Sequence, residues 1–373
     1  MVAAAGDEKG SGHRGAERGS VLGPSVLGGD DFREALLMLA SVRGVGPVAF
    51  REALARVDGV DAALAELSPQ ARREAHSRAQ AIARNAHQAG ATLLVQGEAA
   101  YPPALLDLED APPYLFSLGA ASWLATPMIS IVGTREATSY GERTARRFAS
   151  ELSDAGITVV SGLARGIDVA AHRGALDKTG ATIAVLAGGA DLPTPPRHRA
   201  LHETIVARGL IVAERPCGTA PRPGSFPRRN RLIAALGAAT VVVEAGVKSG
   251  ARITADLAIA LGRPVGAVPG DIESPVSVGT NILIRDGATP VTSIDDILML
   301  AHLTAIAHSR REKLSTPAPK TLTDSPLDEF LWSRLRREPA TLDMLVVETE
   351  RSAREVLRAL TTLEVAGLVR AEA

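Results

Sequence analysis

Three arginines and a phenylalanine stand within six residues in the stretch Phe226-Pro227-Arg228-Arg229-Asn230-Arg231. A guanidinium group grips phosphate oxygens through a fork of N–H donors. An aromatic ring beside it offers a face on which a base can stack. The stretch runs into an apolar helical segment, 232–236, so its cations stand ahead of a helix whose unpaired backbone N–H groups also favour anions. With aromatic residues at 3% of the chain, a ring at this point is a specific signal.

Glycine-rich segments supply a second set of anion-binding parts. They read Gly133-Thr134-Arg135, Ser161-Gly162-Leu163-Ala164-Arg165-Gly166-Ile167-Asp168, Gly188-Gly189-Ala190, Glu244-Ala245-Gly246-Val247-Lys248-Ser249-Gly250 and Pro269-Gly270-Asp271. Glycine lets backbone amides approach an oxyanion, a hydroxyl adds a donor, and a following helix adds favourable potential. The 161–168 segment is expected to open a helix at Val169, and the 244–250 segment to precede one over 254–260. Tight βα turns also need glycine, but several such loops carrying Arg135 and Arg165 favour an anion site.

Several catalytic patterns are absent from the sequence: G-x-x-x-x-G-K-[ST], G-x-G-x-x-G after the first core strand, and G-x-S-x-G. His198 and His202 lie four apart with Glu203 adjacent, lack a third ligand, and read as solvated surface residues. Asp168, four before His172, reads as a helix cap or loop-ordering acceptor. Glu244 follows a buried strand and is the best carboxylate for chemistry or for a ribose contact.

The elements that must position these residues follow from periodicity. Between 128 and 294, β-branched runs at 129–132, 158–160, 183–186, 210–212, 241–243, 265–268 and 290–292 alternate with helical stretches. Runs that are apolar throughout mark strands buried on both faces, and repeated βα units predict an extended Rossmann-like, doubly wound, mostly parallel sheet. Residues 93–95 and 101–119 are expected to extend one edge. The domain expectations are a disordered tail at 1–28, a helical domain at 29–90, the Rossmann-like domain at 91–308, a polar linker at 309–326, and a winged-helix-like domain at 327–373. In the helical domain, Arg43-Gly44-Val45-Gly46-Pro47 resembles the hairpin of helix-hairpin-helix or SAM-like modules; a tight turn between packed helices explains the same residues.

Bulk properties narrow the classes. At 373 residues and 46% hydrophobic, the chain suggests two or three domains with real cores. A formal charge of -1 means that any affinity for nucleic acid is local. One cysteine, Cys217, excludes a disulfide framework and a cysteine-rich zinc site, and fits a reducing cytoplasm. No apolar run approaches the roughly 20 residues of a membrane span, and the N-terminal residues do not read as a signal peptide.

Taken in order, the motifs resemble the DNA-processing protein A family (DprA, also called Smf). The carrying residues are Tyr101-Pro102, Pro112-Pro113, Gly133-Thr134-Arg135, Ser161 through Asp168, Phe226 through Arg231, Glu244 with Ser249-Gly250, Thr254-Ala255, Pro269-Gly270 and Gly279-Thr280-Asn281. The resemblance implies a cytoplasmic homodimer that binds single-stranded DNA, protects it and passes it to a RecA-type recombinase in natural transformation, with no cofactor, metal or catalytic residue. It further implies that Gly133, Thr134 and Arg135 line a phosphate pocket, that Ser161, Gly162, Arg165 and Gly166 form its second wall, and that Ser249 and Gly250 complete its floor. Phe226 would stack near a base, with Arg228, Arg229 and Arg231 holding the backbone or ordering the pocket. Phe226 and Arg228 are the preferred DNA contacts, whereas Asn230 and Arg231 are expected to brace the pocket, pairing with Asp168 or Glu244.

Two departures qualify the resemblance. Asp191-Leu192-Pro193-Thr194-Pro195-Pro196 stands where the family usually has Tyr-Pro, which removes one ring from the expected pocket. The sequence stops at Ala373, soon after a first possible wing strand, so DNA binding by the terminal unit alone is not expected. Two other functional classes fit parts of the chain. Glu244 beside Gly246 and Ser249-Gly250 would suit a phosphoribohydrolase-like enzyme, and the terminal unit would suit a protein adaptor.

Overall fold

The computed structural model describes residues 29–305, 325–335, 340–365 and 368–369, apart from positions 57, 58, 179 and 181. The expected tail at 1–28 and residues 309–324 of the expected linker lie outside the described residues.

Four helices come first: α1 (Gly29–Ala40), α2 (Pro47–Arg56), α3 (Val60–Ala65) and α4 (Pro69–Gln88). Strands β1 (Thr92–Val95) and β2 (Tyr114–Gly119) follow. The βα succession is then β3 (Met128–Val132), α5 (Ser139–Asp154), β4 (Thr158–Ser161), α6 (Ile167–Leu176), β5 (Thr182–Gly189), α7 (Arg199–Arg208) and β6 (Leu210–Arg215). It continues with α8 (Ser225–Leu236), β7 (Thr240–Val242), α9 (Gly250–Ala260), β8 (Val265–Ala267), α10 (Val278–Arg285), β9 (Thr289–Pro290) and α11 (Ile294–Leu300). The nine strands form one sheet in the order β1-β2-β6-β5-β4-β3-β7-β8-β9.

From β3 to β6 the chain steps one way across parallel neighbours. The connection containing α8 then carries it back to the other side of β3, where β7, β8 and β9 continue in parallel. The winding direction therefore reverses between β3 and β7, and in open α/β sheets ligands bind beyond the strand ends at such a point. The edge extension is present as two antiparallel strands, β1 and β2, with β2 paired to β6.

Periodicity explains the packing. All residues of β3 and β5 are buried. On α5, Ala145, Phe148, Ala149 and Leu152 form one stripe at helical spacing, packed with Ile129, Ile131 and Val159 of the sheet. The opening helices share a core with the sheet, in which Leu36, Phe50 and Val60 meet Val95, Phe116, Leu186 and Ala213. The chain's last described unit is α12 (Pro326–Leu335), α13 (Leu342–Thr349) and α14 (Ala353–Val365) around Leu331, Trp332, Leu345, Val356 and Leu363. Residues 366, 367 and 370–373, where the wing was expected to begin, lie outside the described residues.

Phe148 is fully buried beneath α5. Phe148→Ala is expected to destabilise the Rossmann-like domain by about 3–5 kcal/mol, read as a lowered urea midpoint of far-UV circular dichroism.

Candidate functional site

The helix α8 begins at Ser225, so the Phe226–Arg231 cluster lies inside its first two turns and not ahead of it. The helix thus starts earlier than the apolar run at 232–236 suggests. Side chains three and four apart share a helical face. Phe226, Arg229, Asn230 and Ile233 accordingly line a single cleft at the switch point, whereas Arg228 and Arg231 lie outside it.

The cleft encloses about 850 Å³. Its floor and walls come from the loops after β3, β4 and β7, together with the start of α8 and the Pro275-Val276 segment. Gly133, Thr134 and Arg135 enter from the first loop, Arg165 from the second, and Lys248, Ser249 and Gly250 from the third. Arg135, Arg165 and Lys248 are exposed cations. The Arg135 guanidinium stands over the Phe226 ring, 5.2 Å from its centroid, so cation and stacking platform form one surface. Glu136 and Asp168 are the carboxylate residues of the lining, and Asp168 is buried. Ser249 caps α9, its Oγ accepting from Ala251 N at 3.3 Å, which aims the start of that helix at the cleft.

Backbone bonds hold the loops together. Thr134 N donates to Glu244 O at 2.7 Å, and Ile167 N donates to Thr134 O at 3.3 Å. Asn230 ties α8 to the third loop by donating from Nδ2 to Gly250 O at 3.3 Å. Arg229, buried at 6% exposure, donates through Nη1 to Gly162 O at 2.7 Å and to Val185 O, and through Nε to Asn230 Oδ1 at 3.1 Å. A Cβ at Gly162 would lie 2.6 Å from this guanidinium, so the close approach requires glycine there.

The loop bearing Arg165 is clamped at three successive amides ahead of it. Asp168 accepts from Gly162 N and Ala164 N, both at 3.2 Å. Burial pushes the Asp168 carboxyl up, opposed by Arg229 and these amides. Leu163, with φ at 56°, donates from N to His172 Nε2 at 3.3 Å. His172 Nδ1 in turn lies 2.8 Å from Thr182 Oγ1, whose hydroxyl donates to Val159 O at 2.9 Å. That arrangement makes Nδ1 the protonated nitrogen and needs a neutral ring. Burial, helped by the Arg229 and His198 charges, pushes the His172 pKa down to about 3.

Other residues singled out by sequence serve the frame. Ser161 donates its hydroxyl to Ile131 O at 2.7 Å and does not line the cleft. Gly166, with φ at 72°, caps α6 against the carbonyl of Thr134 and is also outside the lining. Glu244 is buried and accepts from Thr138 N at 2.9 Å and from Thr138 Oγ1, anchoring the start of α5. Arg231, expected to brace the pocket, instead lies outside the cleft and braces α8. It pairs with Asp110 at 2.9 Å and Glu214 at 2.9 Å, not with Asp168 or Glu244, because its helical position faces the β6 end. Arg228 reaches the same Glu214 at 3.3 Å.

Of the two histidines read as solvated surface residues, His202 is buried and His198 half-buried. His202 donates to Ala190 O at 2.8 Å, and His198 donates to Leu163 O at 3.0 Å. Their spacing gave no hint of the buried carbonyls they serve. The 191–196 segment stays outside the cleft, and Asp191 accepts from Gly218 N at 2.9 Å. Lys248 was not assigned a role from sequence, although its place next to Ser249-Gly250 was the available signal.

A doubly wound α/β domain with a cationic, aromatic-lined cleft at its switch point defines the class. Residues 92–302 match the family model for DNA recombination-mediator protein A, and residues 315–373 match the DprA winged helix domain. The chain belongs to the DNA-processing protein A (DprA/Smf) family. It is 44% identical over 264 residues to the putative DNA processing protein DprA of Mycobacterium tuberculosis, covering 69% of this chain and 66% of that relative. The fold matches the X-ray structure of DNA processing protein A from Streptococcus pneumoniae with a TM-score of 0.65 at 30% identity, covering 72% of this chain and 97% of that one. A second match, at TM-score 0.51 and 31% identity over 57% of this chain and 96% of the other, is Helicobacter pylori DNA processing protein A, described for its single-stranded DNA binding mode.

The neutral His172 yields a pH prediction. Its pKa is about 3 folded against 6.5 for an ordinary histidine, so the folded state binds fewer protons between those values. Stability from this group is complete above pH 6.5 and is lost as pH falls towards 3. The slope reaches about 1.4 kcal/mol per pH unit within that window. His172→Asn is expected to lower the urea midpoint near neutrality and to flatten its acid dependence relative to the unaltered chain. Asp168 shifts in the opposite sense, so the difference between the two proteins is the quantity to read.

Proposed function

We propose that this protein is a non-enzymatic binder of single-stranded DNA that uses the switch-point cleft. The observation that carries this reading is the Arg135 guanidinium stacked over Phe226 beside Arg165 and Lys248. Phosphates are drawn by the three cations and by the start of α9, while a base stacks on the exposed part of the ring, a contact worth about 1–3 kcal/mol. Such contacts carry little sequence information. The single-stranded DNA binding described for the H. pylori relative supports the same ligand class.

The protein protects incoming DNA as a cytoplasmic homodimer and loads a RecA-type recombinase during transformation or recombination. This part of the reading rests on the family resemblance. Among the described residues, no helix is long and apolar enough to cross a membrane. The nucleotide-hydrolase alternative relied on Glu244, which is committed to Thr138 and lies outside the cleft lining. The remaining Gly133, Thr134, Ser249 and Gly250 positions bring backbone and hydroxyl groups to a polymer's phosphates.

Fluorescence anisotropy with labelled single-stranded DNA tests the binding. Arg135→Ala and Arg165→Ala are each expected to weaken it about tenfold or more with folding intact. Each variant should also lower the steepness of log affinity against log salt by about 0.7 per lost phosphate contact. Full binding by both variants, or affinity independent of salt, would refute the proposal. Recombinase loading is tested separately, by whether the protein speeds RecA-type filament formation on the same DNA.

A further inference from the structure

A second cavity, of about 390 Å³, lies between the hairpin joining α1 to α2 and the end of β6. Its volume falls within the range of about 300–1,000 Å³ usual for ligand pockets. One side is apolar, with Val45, Pro47, Phe50 and Tyr114. The other carries Arg78, Arg215 and Arg228. Arg229 lines both this cavity and the switch-point cleft. Ser225 and Arg228 face the second cavity while Phe226 faces the cleft, so the two spaces lie against different faces of the first turn of α8.

Arg215 is the informative residue. It ends β6 half-buried, and its Nε is buried with no hydrogen-bond partner. No carboxylate among the described residues pairs with it. A buried guanidinium N–H without an acceptor is unfavourable, and an anion in the cavity supplies one. Arg228 is half-exposed and holds Glu214 at 3.3 Å, a carboxylate already gripped by Arg231 at 2.9 Å. Glu214 is the carboxylate residue of the lining, and these two arginines offset its charge. Arg78 is fixed on α4, donating to Ser41 O at 2.7 Å and to Glu74 at 2.7 Å.

We propose that this cavity receives a further nucleotide of the single strand held in the cleft, its phosphate on Arg215 and Arg228 and its base against the hairpin side at Val45, Pro47 and Phe50. The inference rests on the proposed function and extends it. The strand passes over the first turn of α8, and the helical domain becomes one wall of the DNA track. The Arg43–Pro47 hairpin, ambiguous as sequence, thereby gains a ligand-facing role.

The test compares oligothymidylates of about 4 and about 16 nucleotides, which span the usual range of single-strand site sizes. Arg215→Ala is expected to weaken the long probe about tenfold and to make its salt dependence shallower by about 0.7. Binding of the short probe, which the cleft alone accommodates, should be unchanged. Unchanged affinity for the long probe overturns the proposal. An equal loss on both probes also overturns it, because Arg215 would then act through the cleft. Arg215→Gln, which keeps the stem and a polar amide but removes the charge, is the second variant if the alanine form has a lowered thermal midpoint. Arg135→Ala on the short probe separates the two claims: retained binding there defeats the cleft reading, whatever Arg215 does.

Discussion

The guanidinium of Arg229 is the group around which the cleft is organised. A buried cation is tolerated only when its donors are met and opposite charge is near. Here Gly162 O, Val185 O and Asn230 Oδ1 accept, and Asp168 lends its field. Burial, joined by repulsion from Arg135, lowers the Arg229 pKa to about 10, which leaves it charged at neutral pH. Its three acceptors belong to the loop after β4, to β5 and to α8 itself, so one side chain sets the distance between the helix that carries Phe226 and the loop that carries Arg165. Gly162 has no room for a Cβ because that guanidinium occupies the space.

A division of labour follows from this arrangement. Charges that meet solvent, on Arg135, Arg165 and Lys248, are carried on loops whose backbones are tied down underneath. The ties are polar and buried: Asp168 on two amides, His172 on Leu163, and Glu244 on Thr138. Several residue types that resemble ligand-binding chemistry therefore act one layer below it. Preorganised loops lose less freedom when a ligand binds, and this strengthens contacts that individually remain screened by water and salt.

The net charge of -1 shows how local the electrostatics are. Cations gather at the carboxyl ends of β3, β4 and β6, at the start of α8, and in the loop after β7. The two cavities share the buried Arg229 and are divided by the first turn of α8, so cations line both sides of that turn. The same turn also explains why Arg228 and Arg231 diverge from Phe226 and Asn230, since neighbours in a helix point apart by about 100°.

Much of the architecture was legible in the residues. Apolar runs such as 129–132 and 183–186 can be stable only as strands covered on both faces, and their alternation with helices dictates a doubly wound sheet. The loop positions of Arg135, Arg165 and Ser249-Gly250 at strand ends followed from the same pattern, and the ordered motifs carried the resemblance to the family. Which polar residues face the ligand and which face the frame was a tertiary decision. Starting α8 at Ser225, earlier than the apolar run suggested, rotated Arg231 onto Asp110 and Glu214 and left Arg229 in the interior. Likewise His198 and His202 were drawn inward by the carbonyls of Leu163 and Ala190, partners 35 and 12 residues away. Local periodicity specifies which element a residue joins. The pairing of a buried donor with its acceptor depends on chain segments distant in sequence, and only the packed fold brings them together.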